Sequence, residues 1–120
     1  MKDGFIRKTK IYRNYFWDFY DAQTESVKDK VDWVIALVRT LPQVPEKYLK
    51  HLEGTEGIYE IRVGVGNNIF RIFCCFDEGQ LIILFNGFQK KTQKTPKSEI
   101  RKAKKIQMQY YEDKKRGAFE

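Results

Sequence analysis

Ile58-Tyr59-Glu60-Ile61-Arg62-Val63-Gly64-Val65 alternates apolar with polar or small side chains, and the reading of that alternation decides the fold. Successive side chains of a β-strand leave opposite faces. Tyr59, Ile61, Val63 and Val65 are therefore expected to face a core, while Glu60 and Arg62 share the other side. Two further strands are expected immediately downstream, over 69–76 and 81–88. Gly64-Val65-Gly66-Asn67-Asn68 and Asp77-Glu78-Gly79-Gln80 are both suited to reversing a strand, and connections this short force antiparallel neighbours. In the second strand Phe70, Ile72, Cys74 and Phe76 form the core set, opposite Ile69, Arg71, Phe73 and Cys75. If both core sets face the same layer, Glu60, Arg62 and Arg71 converge on an open face. Leu81-Ile82-Ile83-Leu84-Phe85 is apolar on both sides, which places the third strand centrally.

Upstream of this meander, residues 5–12 can form a short first strand. Tyr15, Phe16, Phe19 and Tyr20 recur at helical spacing. Ser26 with Asp29 resembles a capping box, after which Val27, Val31, Val34, Ile35 and Val38 form an apolar stripe ending near Leu41, before Pro42 and Pro45. Trp17 and Trp33 fall within these helical periods and are expected in the core. Downstream, Thr95 as N-cap and Pro96 at the first position open a last helix. Its stripe of Ile100, Ala103, Ile106 and Tyr110 can lie on the protein with lysines opposite. The expected architecture is α+β: a small antiparallel sheet of about four strands, two N-terminal helices on one face, and a basic C-terminal helix. With no linker, repeat or low-complexity tract, residues 1–120 are expected to be one domain.

Composition narrows the function classes. An apolar fraction of 42% with 15% aromatics describes a globular chain, and no apolar run approaches the roughly 20 residues of a membrane span. Met1-Lys2-Asp3-Gly4 leads into alternating polar residues without an apolar signal segment, so a cytoplasmic location is expected. Cys74 and Cys75 are adjacent in a strand pattern and point to opposite faces, which rules out a mutual bridge and suggests core and surface fillers. Neither a metal-ligand cluster nor a GxxxxGK[ST] or GxGxxG pattern occurs, and no metal or cofactor is expected.

Net charge is +7, and its placement is informative. Between Gln89 and Arg116 stand eleven Lys or Arg against three acids, whereas the rest of the chain is nearly balanced. A concentrated basic field favours a polyanionic partner; the alternative is a solvated lysine-rich helix. Arg71, between Phe70 and Ile72, is the more suggestive arginine, because a guanidinium grips phosphate oxygens in a bidentate manner. Glu60 beside Arg62 suits a general base next to a phosphate clamp, or else a plain cross-strand ion pair with Arg71 worth about 0–1 kcal/mol on a surface. Lys90 and Lys91 sit where the central strand ends. Clustered cations lower one another's pKa, so one of them can reach a value useful for proton transfer; the alternative is a solubilising loop. His51, the one histidine, lies in a loop and is read as incidental.

With these elements placed, the chain resembles the RelE/ParE toxin superfamily, and within it the phage-derived, HigB-like branch of bacterial toxin–antitoxin systems. The likeness rests on Leu52 through Val63, on Phe70-Arg71-Ile72-Phe73, and on Asn86-Gly87-Phe88-Gln89-Lys90-Lys91-Thr92-Gln93-Lys94-Thr95-Pro96 with the helix containing Ala103, and extends over roughly residues 10–112. It implies helices beside a small antiparallel sheet and, for many members, cleavage of messenger RNA on the ribosome by attack of a ribose 2′-hydroxyl on its own phosphate.

The resemblance makes Arg71 the transition-state clamp, Arg62 and Lys91 phosphate binders, Lys91 or Lys90 the acid and Glu60 the candidate base. Many relatives carry histidine where this chain has Asn86, which shifts the burden of proton transfer to Glu60 or a lysine. Lys94, Lys97, Arg101 and Lys104 are expected to contact RNA, including that of the ribosome. A helix-turn-helix antitoxin is the implied protein partner, in a hetero-oligomer. Two other functions remain open at this level: a ParE-like inhibitor of DNA gyrase, and a non-catalytic basic RNA-binding module.

Overall fold

The alternating stretch forms a strand over its whole length and lies near one edge of a five-stranded sheet in the computed structural model, which describes residues 4–117. In chain order the elements are β1 (Lys8–Ile11), α1 (Tyr15–Tyr20), α2 (Glu25–Thr40), β2 (Leu49–His51), β3 (Ile58–Val65), β4 (Asn68–Asp77), β5 (Leu81–Lys90) and α3 (Lys97–Lys115). The spatial order is β1-β5-β4-β3-β2. The meander β3-β4-β5 is antiparallel as expected, but β1 runs parallel to β5 and the short β2 pairs with β3. The expected four-stranded antiparallel sheet is thus corrected to five strands in a mixed sheet. The expected first strand over 5–12 is present as the shorter β1, whereas β2, three residues long, is too short to carry a periodic signal of its own.

Two apolar layers sandwich the sheet. On one face α1 and α2 bring Phe16, Phe19, Val31, Val34 and Val38 onto Ile61, Val63, Phe70, Ile72, Cys74, Ile82 and Leu84. On the other, Ala103, Ile106 and Tyr110 of α3 cover Ile58, Phe73, Cys75, Ile83 and Phe85. Each fully buried aliphatic or aromatic side chain contributes about 1.5–3 kcal/mol through loss of water contact, so β4 and β5, buried on both sides, form the centre. The face carrying Glu60 is therefore not open along its length. Phe73, Cys75 and Phe85 demand a cover there, and α3 supplies it.

Several local expectations shift for physical reasons. The N-cap of α2 is Thr24, whose hydroxyl accepts from the Val27 amide at 3.3 Å, rather than Ser26. Pro96, with β-region dihedrals, is the residue preceding α3, and Thr95 lies outside the helix. Trp17 and Trp33 are exposed rather than core, at 41% and 49% of their full area; Val27, Val31, Val34 and Val38 already fill the face of α2 turned to the sheet. Cys75 is buried like Cys74. Burial pushes the Cys75 thiol up to about 11 and the Cys74 thiol higher still, so neither is a thiolate at neutral pH.

A β-bulge sets the far end of β5. Phe85 and Asn86 together stand opposite the single Phe73, between the pairs Cys74–Leu84 and Ile72–Gly87. One extra residue inverts the parity that follows. Gly87 consequently faces α1, where a Cβ would fall 2.5 Å from the Phe19 ring. Phe88 and Lys90 are delivered to the α3 face.

Candidate phosphate-binding and catalytic site

β3, β4 and the end of β5 present one cationic cluster around a single carboxylate. Arg62 pairs directly across from Arg71, Lys50 across from Glu60, and Lys90 across from Ile69. With the bulge taken into account, Lys50, Glu60, Arg62, Arg71 and Lys90 share the face opposite α1 and α2. Glu60 and Arg71 are each only 6% exposed.

The Arg71 Nε lies 3.2 Å and the Arg62 Nε 3.7 Å from Glu60 Oε1. Thr95 donates its hydroxyl to Glu60 Oε2 at 3.3 Å, which ties the segment before α3 to the site. Arg62 Nη1 also donates to the Glu46 carbonyl at 3.3 Å.

The pairing of Arg71 is incomplete. Its Nη1 donates to the neighbouring Phe70 carbonyl at 3.0 Å, but its buried Nε–H has no aligned acceptor despite the nearby carboxylate. A buried polar donor left unmade costs about 1–3 kcal/mol, and a guanidinium costs more to desolvate. Burial lowers the pKa of Arg71 and the like charge of Arg62 lowers it further, and the charge and contact of Glu60 only partly offset them. Burial, followed by repulsion from Arg71, also brings Lys90 below the ordinary lysine value, only partly offset by Glu60. One carboxylate thus stands among four cations. The imbalance and the spare donor both favour an anion with several oxygens.

Of the residues singled out from sequence, Glu60, Arg62, Arg71 and Lys90 come together. Lys91 and Lys94 stand exposed on the β5–α3 connection, and Lys97 is exposed at the start of α3. Arg101 and Lys104 line a shallow hollow on the outer surface of α3 with Lys102 and Met108, away from the carboxylate. Lys50 and Thr95 belong to the cluster and were not singled out. Lys50 sits on a three-residue strand, and only its register opposite Glu60 exposes its role. Asn86 is 1% exposed and donates to Glu99 of α3 at 3.1 Å, while its Oδ1 has no partner. His51 pairs with Tyr59 and faces away from the cluster, its ring 5.3 Å from that of Tyr59. Among the described residues, no group of three His, Cys, Asp or Glu could hold a metal ion, and no helix is long and apolar enough to cross a membrane.

Residues 18–107 match the family described as phage-derived protein Gp49-like (DUF891). This chain belongs to that family, whose members are toxins of the toxin–antitoxin kind. No curated protein sequence matches the chain.

Proposed function

We propose that the chain is a HigB-like toxin of the RelE/ParE superfamily, acting in the cytoplasm as a ribosome-dependent endoribonuclease on messenger RNA. The observation that carries this reading is the Arg71 guanidinium, nine-tenths buried, its Nε–H 3.2 Å from Glu60 but out of alignment, set among Arg62, Lys90 and Lys50. Transesterification at phosphorus needs little else: a group to take the 2′-proton, cations to hold the phosphorane oxygens, and a group to protonate the leaving oxygen.

In the proposed reaction Glu60 accepts the 2′-hydroxyl proton at the carboxylate oxygen now held by Thr95. The 2′-oxygen forms its bond to phosphorus, the bond from phosphorus to the 5′-oxygen breaks, and Lys90 gives its proton to the departing oxygen. Its lowered pKa suits an acid that must release a proton readily. Arg71 clamps the non-bridging oxygens, with Arg62 and Lys91 on the flanking phosphates. Lys94, Lys97, Arg101 and Lys104 form the basic surface toward ribosomal RNA. A helix-turn-helix antitoxin is the proposed protein partner.

Inducing the chain in bacteria and mapping transcript ends tests this directly. Growth arrest with new 5′ ends inside translated frames is expected. Arrest with intact transcripts and an SOS response would favour gyrase inhibition. Salt-sensitive RNA binding without toxicity would favour a non-catalytic module.

A further inference from the structure

A groove leaves the cationic cluster at Arg71 and Arg62 and rounds the free edge of β3. β2 pairs with β3 only from Tyr59 to Ile61, and one more bond joins the Arg62 amide to the Tyr48 carbonyl at 2.9 Å. Beyond that point the edge is uncovered, and the groove there has a volume of about 470 Å³, with Gly64 and Gly66 on its floor and Tyr48, Lys47 and Lys30 along its side. It continues past Lys30 to Trp33 on α2, where Asp29 stands on the outer rim.

Three features stand together at this groove. Gly64 has no left-handed φ, and nothing lies within 4 Å of the place its Cβ would occupy. A glycine within a strand weakens it, and one of the situations it marks is the close approach of a ligand or another backbone. Trp33 is 49% exposed, with its ring edge-on to Tyr48 at 5.8 Å. The Lys30 ammonium lies 5.1 Å from the Trp33 ring centre. The inner stretch carries Arg71, Arg62, Lys30 and Lys47 with no carboxylate on its wall. Lysines beside exposed aromatic rings are the composition of a single-strand platform, where phosphates follow the cations and bases stack on the rings.

We infer that this groove is a nucleotide subsite: it seats the RNA nucleotide next to the scissile phosphate, its backbone crossing bare Gly64 and its base stacked on Trp33. Lys30 holds the indole face until the base replaces it, and its ammonium then meets the phosphate. The inference rests on the endoribonuclease reading for the identity of the strand, but its binding test does not depend on cleavage.

The chain has two tryptophans, so Trp17→Phe leaves Trp33 as the sole indole reporter. That protein is titrated at low salt with a short single-stranded oligoribonucleotide, 2′-O-methylated throughout so that it cannot be cut. Quenching of Trp33 emission is expected, with a midpoint that moves to higher concentration as salt rises. Adding Gly64→Val should weaken binding by about tenfold, within the range for losing one stacked base, without lowering the unfolding midpoint. Absence of quenching, or unchanged affinity in Gly64→Val, overturns the subsite. Quenching by a polyglutamate peptide but not by RNA overturns it in favour of an acidic protein surface. A parental chain that binds the oligonucleotide yet never cuts messages defeats the endonuclease reading and leaves the subsite standing. Cutting with unchanged rate and base preference in Gly64→Val and Trp33→Ala does the reverse.

Discussion

Two groups of ionised side chains flank α3 at opposite ends of the sheet, and they are built on opposite principles. At the C-terminal end of β4, Asp77 accepts from the Tyr110 hydroxyl at 2.7 Å and from the Lys114 ammonium at 2.8 Å. Beside it Asp113 accepts from the Tyr12 hydroxyl and from Arg13 and Arg116. Burial pushes the Asp77 carboxyl up, but the bonds from Lys114 and Tyr110 together bring it below its ordinary value. Carboxylates and cations are matched there, with good alignment. At the Glu60 end, one carboxylate faces Arg62, Arg71, Lys90 and Lys50, and the buried Arg71 Nε–H meets it at 3.2 Å without hydrogen-bond alignment. A matched cluster fastens a helix. An unmatched one is costly to keep in a free protein and is relieved by an anion.

The largest consequence concerns Arg71. Arg71→Met keeps an apolar stem and removes the charge, and should lower message cutting on programmed ribosomes by about 100–1,000-fold, the usual loss for a transition-state donor. Unfolding free energy should change little: Glu60 loses its 3.2 Å ion pair but keeps Arg62 at 3.7 Å, and the repulsion of Arg71 by Arg62 and Lys90 disappears. A variant that cuts at the parental rate would dissolve the contrast between the two clusters. Asp77→Asn should do the opposite: a loss of about 1–3 kcal/mol in denaturant titration, with cutting by the folded fraction unchanged.

Two smaller effects follow from titration. Glu60 raises the Lys90 pKa while burial and Arg71 lower it. Glu60→Gln should therefore move the alkaline limb of oligonucleotide binding, where Lys90 loses its charge, to lower pH. An unmoved limb would separate Lys90 from the cluster. Asp113, held at about 2 first by Tyr12 and then by Arg13, has a folded pKa below its unfolded value of about 3.9. Its contribution to stability is present above that unfolded value and is lost as pH falls toward 2. Asp113→Asn should flatten the acid limb of a stability–pH curve in that window, and a parallel limb would show that Asp113 adds nothing to it.

The meander was legible because β3 alternates cleanly and short turns follow it, and the shared face of Glu60, Arg62 and Arg71 came from strand parity, with Arg71 the one charged residue in an apolar run of β4. Lys90 was placed at the strand end but its face could not be read, since strict alternation through Phe85 and Asn86 would turn it toward α1. Lys50 was hidden in a strand too short to show a period. Trp33 was misread because helical spacing identifies a stripe but does not reveal that the valines have already filled it. The cover over Phe73 and Phe85 could have been anticipated: a strand apolar on both sides needs two layers, and the stripe through Ile100, Ala103, Ile106 and Tyr110 was waiting to supply the second.

The most direct measurement follows the Arg71 Nε–H by NMR while the 2′-O-methylated oligoribonucleotide is added. The account predicts that this proton shifts downfield and exchanges more slowly as it gains a phosphate oxygen, while the Lys114 ammonium, already matched by Asp77, does not move. An unchanged Arg71 signal at saturating RNA would contradict it, as would a response confined to the lysines of α3.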